Sequence, residues 1–117
     1  MVLIGDGSHA RLFRIDASQA WKLEQKFDRE HSREKTSRDD SREDRGEHGF
    51  AQQLVAELET GRQKGDFEQL VIVAPPKFLG QLRAELGAPL AACVVKTHAH
   101  DYTHMAEAEL AERVTLS

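Results

Sequence analysis

A chain of 117 residues has the size of one domain, and its composition, 39% hydrophobic and 31% charged, is that of a globular protein. No run approaches the ~18 apolar residues of a membrane span, and the net charge of −4 excludes a general attraction to nucleic acid. The single cysteine, Cys93, excludes an internal disulfide. Together with the lack of a basic and apolar leader in residues 1–8, it predicts a cytoplasmic protein.

The first part of the chain contains three short segments that predict an antiparallel β-meander. Residues 2–5 (VLIG) form a continuous apolar run, which is typical of a strand buried on both faces. Residues 10–16 and 20–27 follow after short turns, and their polar and apolar residues alternate as in half-buried strands. In the third strand the apolar side chains are expected on one face: Trp21, Leu23 and Phe27.

The segment 28–48 is polar along its whole length and contains no aliphatic or aromatic residue. It has no side chain to bury, so we predict a solvated loop. A loop of this length inside one domain is either functional or disordered. Its basic side chains are candidate phosphate contacts, although interspersed acids cancel much of their charge: Arg29, Arg33, Lys35, Arg38, Arg42 and Arg45. A self-paired surface loop and a loop that binds RNA or a protein both remain open.

The second half of the chain alternates between helical and strand patterns. From Phe50 onward the apolar residues recur at spacings of three and four, which predicts a helix that Gly61 and Gly65 end. The apolar run 69–74 predicts a central strand, which Pro75 stops.

A second helix is expected after this strand, because proline is tolerated in a first helical turn, and Gly87 ends it. Residues 92–97 predict a third buried strand, and residues 105–113 predict a last helix. The order β-β-β, loop, α, β, α, β, α is typical of a single α/β domain with helices packed on a mixed sheet. We predict a ribonuclease-H-like arrangement over residues 1–117, with strands 69–74 and 92–97 beside the first strand and parallel to it.

The blocks LIGDGSHARLF, FEQLVIVAPPKFLGQLR and HDYTH occur in this order along the chain. Together they resemble the bacterial host attachment protein family, also described as bacterial and archaeal homologues of the middle domain of eukaryotic-type class-I peptide release factors. The resemblance covers nearly the whole chain and implies a ribonuclease-H-like α/β fold. The family's Asp-x-Thr-His signature falls on Asp101, Thr103 and His104.

The resemblance also identifies a functional element that this chain lacks. Release factors carry a Gly-Gly-Gln tripeptide in the loop between the third strand and the first helix, where it helps water to attack the peptidyl-tRNA ester. The corresponding loop here is 28–48, and it contains no Gly-Gly-Gln. We therefore expect no peptidyl-tRNA hydrolysis and no catalytic residues of that kind. No cofactor is expected.

The histidine-rich stretch 97–104 (THAHDYTH) has two interpretations. Four of its side chains could act as metal ligands, although their spacing matches no known metal motif: His98, His100, Asp101 and His104. The favoured interpretation is structural. Asp101 and Thr103 would cap the last helix, and His104 would be buried and hydrogen-bonded.

The block GSHARLF and the residue before it contribute three more candidates. Asp6 either begins a turn, which suits aspartate, or holds a metal together with Asp101, as carboxylates do in nucleases of the ribonuclease-H fold. His9 and Arg11 either bind an anion beside the free N–H groups of the glycine turn, or Arg11 pairs with an acidic neighbour on the sheet.

The favoured function, implied by the resemblance alone, is a non-enzymatic binding module that contacts translation-related RNA, with the ribosome or tRNA as its partner. Two alternatives from other classes stay open. One is a metal-dependent hydrolase that uses Asp6, Asp101 and nearby histidines. The other is a cytoplasmic module that binds a protein partner and affects cell attachment indirectly. No membrane partner is predicted.

Overall fold

The computed structural model describes residues 1–16, 18, 20–28 and 40–114, and for residues 40–45 it describes the backbone alone. In this part of the chain the strands and helices follow one another in this order: β1 (Val2–Gly5), β2 (His9–Ile15), β3 (Trp21–Asp28), α1 (Asp40–Lys64), β4 (Leu70–Ala74), α2 (Pro76–Glu85), α3 (Ala88–Ala91), β5 (Val94–Ala99) and α4 (Glu107–Arg113). No helix among the described residues has the length and apolar character needed to cross a bilayer.

The five strands form one mixed sheet in the order β3-β2-β1-β4-β5. The first three strands are antiparallel neighbours, whereas β1, β4 and β5 run parallel. The predicted α/β architecture is therefore confirmed, as is the parallel pairing of β1 with β4. The prediction that β5 also lies beside β1 is wrong. Since β2 and β4 occupy both sides of β1, the last parallel strand can only add outside β4. The finer ribonuclease-H-like assignment stays a prediction.

Helices cover both faces of the sheet, and two apolar clusters result. The first cluster joins one sheet face to α1, α2 and α3, with Leu3, Ile72 and Phe50 among its buried members. The second joins the other face to α4, with Ile4 and Leu110 among its members. Ile4 and Ile72 are both 0% exposed, as expected for central strands.

A bulge in β3 corrects the predicted face of its apolar residues. Phe13 pairs with Leu23 but Leu12 pairs with Gln25, so Glu24 has no partner of its own on β2. An extra residue reverses the alternation of side chains beyond it, because the period of a strand is two. Trp21 therefore packs against the second cluster, while Phe27 is buried in the first.

Helix α1 begins at Asp40, so the prediction of a loop through residue 48 is wrong in its second half. The lack of apolar residues favours a loop, but a helix satisfies its backbone hydrogen bonds internally and needs only one anchored part. Here Phe50, Leu54 and Leu58 are buried against the sheet, and extending a formed helix costs less than nucleating one. Gly65, with φ of 79°, follows the last turn as predicted, whereas Gly61 lies inside the helix and does not end it.

Strand β5 is the edge of the sheet, and this corrects the prediction of a buried strand at 92–97. It spans Val94–Ala99 and is only partly covered. Val95 falls at a shift in the register between β4 and β5 and is 49% exposed. The continuous apolar run predicted burial on both faces, but an edge strand lacks a neighbour on one side.

Candidate functional site

The turn after β1 is organised by Asp6. Its Oδ1 atom accepts hydrogen bonds from the backbone N–H groups of Ser8 and His9, each at 2.8 Å. The Asp6 N–H in turn donates to the His9 carbonyl at 2.8 Å. Asp6 therefore shapes a turn, as the first of its two interpretations predicts. Because the Ser8 and His9 N–H groups already donate to Asp6, they are not available as donors to an anion at the glycine turn, as that prediction requires.

Arg11 fastens the segment before α4 to the sheet. Its Nη2 group donates to the carbonyl oxygens of Thr103 at 2.8 Å, Met105 at 3.0 Å and Tyr102 at 3.5 Å. Its guanidinium carbon also lies 5.4 Å from the centre of the Phe13 ring, which is a cation–π distance. The partners in these hydrogen bonds are backbone carbonyls rather than the predicted acidic side chain. The planar guanidinium has several N–H donors and no acceptor, which suits it to a group of carbonyls.

The Thr103 hydroxyl links the residues that follow β1 and β5. Its Oγ1 atom lies 2.6 Å from Asp101 Oδ1 and 3.3 Å from Asp6 Oδ2. The two strands are not neighbours, because β4 lies between them. A hydroxyl has one proton to donate, and the shorter distance indicates that Asp101 receives it. The predicted proximity of Asp6 and Asp101 is thus found, but through the loop rather than through adjacent strands.

The predicted cap of the last helix is wrong. Helix α4 begins at Glu107 after Ala106, and no side chain caps it. Asp101 instead accepts the N–H group of Thr103 at 3.3 Å and so closes a turn within the loop. His104, expected to be buried, is exposed. The loop between β5 and α4 is longer than predicted, which places Asp101 too far ahead of the helix to reach its first N–H groups.

A cleft of about 310 Å³ lies on the α4 face of the sheet, between the hairpin β2–β3 and the Thr103 loop. Ile4 and Arg11 are among the residues at its base. Charged and polar side chains also line it, and one of them is acidic: His9, Lys26, Asp28, Thr103 and His104. The His9 Nδ1 atom lies 2.9 Å from Asp28 Oδ1. The structure therefore brings four of the predicted site residues together in one cleft at this end of the sheet: His9, Arg11, Thr103 and His104.

Lys26 and Asp28 are site residues that the sequence interpretation missed. In the observed register Lys26 pairs with Arg11, and Asp28 pairs with His9, so these four side chains share one face. Without the extra residue at Glu24, Lys26 would lie opposite Ala10, on the face that α1 covers. Lys26 can therefore be placed in the cleft only once the bulge is known, and no local residue marks the bulge.

The four predicted metal ligands of THAHDYTH do not meet as a metal site. Among the described residues no group of three or more histidine, cysteine, aspartate or glutamate side chains is arranged to hold a metal ion. The His100 ring stacks on Tyr102 instead, with ring centres 5.0 Å apart and planes 6° from parallel.

The predicted phosphate contacts of the charged segment fall in two groups. Four of them lie outside the described residues: Arg29, Arg33, Lys35 and Arg38. Arg42 and Arg45 are part of α1, but their side chains are also outside the described part of the structure. Asp28, which precedes this segment directly, lines the cleft.

One comparison with known proteins bears on this chain. A family profile described as "Protein required for attachment to host cells" matches residues 1–114. No curated protein matches the chain.

Proposed function

This chain belongs to the family of proteins required for attachment to host cells, and we propose that it is a non-enzymatic module that binds RNA through phosphate contacts in the cleft between β3 and the Thr103 loop. The module acts in the cytoplasm on translation-related RNA, with the ribosome or tRNA as its partner.

The observation that carries the proposal is the convergence of three N–H-bearing side chains on one cleft. Lys26, His9 and His104 line it from three different segments, and all three residues are exposed. An ammonium group and imidazole N–H groups are donors that suit phosphate oxygens. The one carboxylate among the lining residues, Asp28, interacts with His9 Nδ1, so Lys26 and His104 are the donors that this contact does not engage.

The position of the cleft also supports binding. The chain turns after β1, β4 and β5 lie at the same edge of the sheet, because these strands are parallel. In open α/β sheets ligands bind outside the carboxyl ends of the strands. The cleft is built partly from Thr103 and His104, which follow β5 at this edge.

The net charge of −4 makes the attraction local rather than general. Arg11 adds a fixed positive charge at the base of the cleft, although its Nη2 group is bonded to the loop carbonyls. The module therefore recognises a few phosphates at one place instead of coating a long nucleic acid.

The resemblance to the release-factor middle domain supports translation-related RNA as the ligand. The sequence contains no Gly-Gly-Gln, which supports binding without hydrolysis of peptidyl-tRNA. Asp28 stands at the end of β3, and the resemblance implies that the release-factor loop begins at this position. The basic residues from Arg29 onward follow it directly in the sequence, so the cleft and the charged segment would contact the same RNA.

A second candidate is a module that binds a protein partner and affects attachment indirectly. The family description favours it, as does Val95, an apolar side chain that is 49% exposed on the edge strand β5. An exposed strand edge can pair with an extended segment of another chain. Such binding would not need Lys26, which lies near the opposite edge of the sheet.

Co-sedimentation with ribosomes over a series of salt concentrations tests the proposal. We expect the protein to pellet with ribosomes at low salt, to be released as salt rises, and to release no peptide from peptidyl-tRNA. Lys26→Ala should weaken the association. Lys22→Ala, on the same strand but paired with Arg14 away from the cleft, is the matched control and should behave as wild type. Association that is insensitive to salt and to Lys26→Ala would favour the protein-binding candidate.

A further inference from the structure

His100 and Tyr102 form a stacked aromatic pair at the start of the loop between β5 and α4. The ring centres are 5.0 Å apart and the planes differ by 6°. Tyr102 is partly buried and packs against the second apolar cluster, whereas His100 is exposed. The core therefore holds the Tyr102 ring in place, and this ring orients an aromatic ring at the protein surface.

This pair lies close to the proposed phosphate site. Arg11, at the base of the cleft, donates to the carbonyl oxygens of both Tyr102 and Thr103. Thr103 and His104 line the cleft themselves. The loop from His100 to His104 spans at most about 14 Å even if fully extended. A short stretch of nucleic acid can reach from the cleft to the His100 ring.

We propose that the RNA bound at this site is single-stranded, with an unpaired base stacked on the His100 ring while a phosphate lies in the cleft. This inference rests on the proposed function. Single-stranded RNA is recognised by proteins through splayed bases that stack on aromatic side chains, histidine included. Stacking of this kind tolerates any base, since every base has a flat face. In a duplex the bases stack on one another, so the same contact is blocked along its length.

A simpler role for the His100–Tyr102 pair is to stiffen the loop. The test must separate this structural role from stacking on a base. Tyr102 alone, through its packing and its carbonyl, already joins the loop to the sheet. The His100 ring adds a second layer on the solvent side. A purely structural role predicts that removal of the His100 ring changes the stability of the protein but not its preference for RNA with bases.

The test compares three fluorescently labelled ligands of equal length at one salt concentration: single-stranded oligoadenosine, a ribose-phosphate oligomer without bases, and duplex RNA. We expect wild-type protein to bind the oligoadenosine about tenfold more tightly than the baseless oligomer, as one base–aromatic stack provides. His100→Ala should remove this difference, and His100→Phe should retain it. His48→Ala, at an exposed histidine on α1, is the control and should retain it as well.

Equal binding of oligoadenosine and the baseless oligomer by wild-type protein would overturn the stacking inference. So would tighter binding of the duplex, or a His100→Ala effect that is the same for both single strands. In each of these cases a loss of affinity in Lys26→Ala would leave the phosphate cleft standing. If none of the three ligands bound, the proposed function would fail and the inference would fail with it.

Discussion

The guanidinium of Arg11, on β2, donates a 2.8 Å hydrogen bond to the carbonyl oxygen of Thr103, in the loop that follows β5. β2 and β5 are separated in the sheet by β1 and β4. This bond, with those to Met105 and Tyr102, therefore fixes the position of the loop over the end of the sheet. The two walls of the cleft keep their separation because of this contact.

Arg11→Met should lower the free energy of unfolding by about 1.5–3 kcal/mol, the usual contribution of hydrogen bonds to a charged group. The methionine retains an apolar stem near Phe13 but leaves the loop carbonyls without their donor. Urea denaturation measures the change. Arg14→Met, at an exposed position on the same strand with an ion pair to Glu24, is the control. We expect it to cost less than about 1 kcal/mol. Equal losses of unfolding free energy in the two variants would contradict the claim that the bonds from Arg11 to the loop carbonyls fasten the loop to the sheet.

Thr103→Val should cost about 1 kcal/mol, because it removes the hydroxyl that donates to Asp101 and lies between this carboxylate and Asp6. Thr103→Ser keeps the hydroxyl and should cost less. Thermal melts of both variants, with and without added Zn²⁺, provide the measurement.

A rise in wild-type Tm on addition of Zn²⁺ that His98→Ala and His100→Ala both lose would replace the structural interpretation of THAHDYTH with a metal site.

Ile72→Ala should cost roughly 2–5 kcal/mol, as truncations of buried aliphatic side chains do. Ile72 is 0% exposed at the centre of β4. Val95→Ala is the matched control, since Val95 is 49% exposed on the neighbouring strand β5, and it should cost less than about 0.5 kcal/mol. Denaturant melts that gave similar losses for both would contradict the assignment of β4 as a central strand.

How much of this molecule the sequence predicts depends on the range of the interactions involved. β1, β4 and α2 were predicted correctly, since each is marked by a local pattern: an apolar run or a proline followed by an apolar stripe. The face on which Phe27 lies was not predicted correctly. One extra residue, Glu24, reverses the alternation of side chains, and no local residue marks this bulge. For the same reason Lys26 was not recognised as a site residue.

The functional residues also divide into those with local interactions, which the sequence predicts, and those with distant partners, which it does not. Asp6 was predicted to form a turn because its acceptor lies only two and three residues from the donors. The partners of Arg11 lie more than ninety residues away along the chain, and no spacing rule predicts them. The start of α1 at Asp40 was missed because helix extension from an anchored segment does not require apolar residues of its own.

Asp16 provides a prediction about pH. It accepts hydrogen bonds from the Ser18 hydroxyl and from the N–H groups of Ala20 and Ser18, and these lower the pKa of Asp16 below its ordinary value of 3.8, the hydroxyl contributing most. A carboxyl whose pKa is lower in the folded state stabilises the fold fully above its unfolded pKa. This contribution is lost as the pH falls through the folded pKa, that is, below about pH 4.

Asp16→Asn removes the titrating group from the β2–β3 turn, so the stability of the variant should fall less steeply than that of wild type below about pH 4. Urea melts at a series of pH values measure the slope. Glu24→Gln, on the following strand, is a control for the loss of one carboxylate. Equal acid slopes in Asp16→Asn and wild type would contradict a lowered pKa of Asp16 in the folded protein.

The salt dependence of RNA affinity in Lys26→Ala tests the phosphate cleft most directly. For a single strand, the slope of log K against log salt falls by ~0.7 for each phosphate contact that is lost. We therefore predict that Lys26→Ala binds single-stranded RNA more weakly than wild type, with a slope shallower by ~0.7, while Lys22→Ala keeps the wild-type slope. Identical slopes in Lys26→Ala, Lys22→Ala and wild type would contradict the assignment of the cleft as a phosphate-binding site.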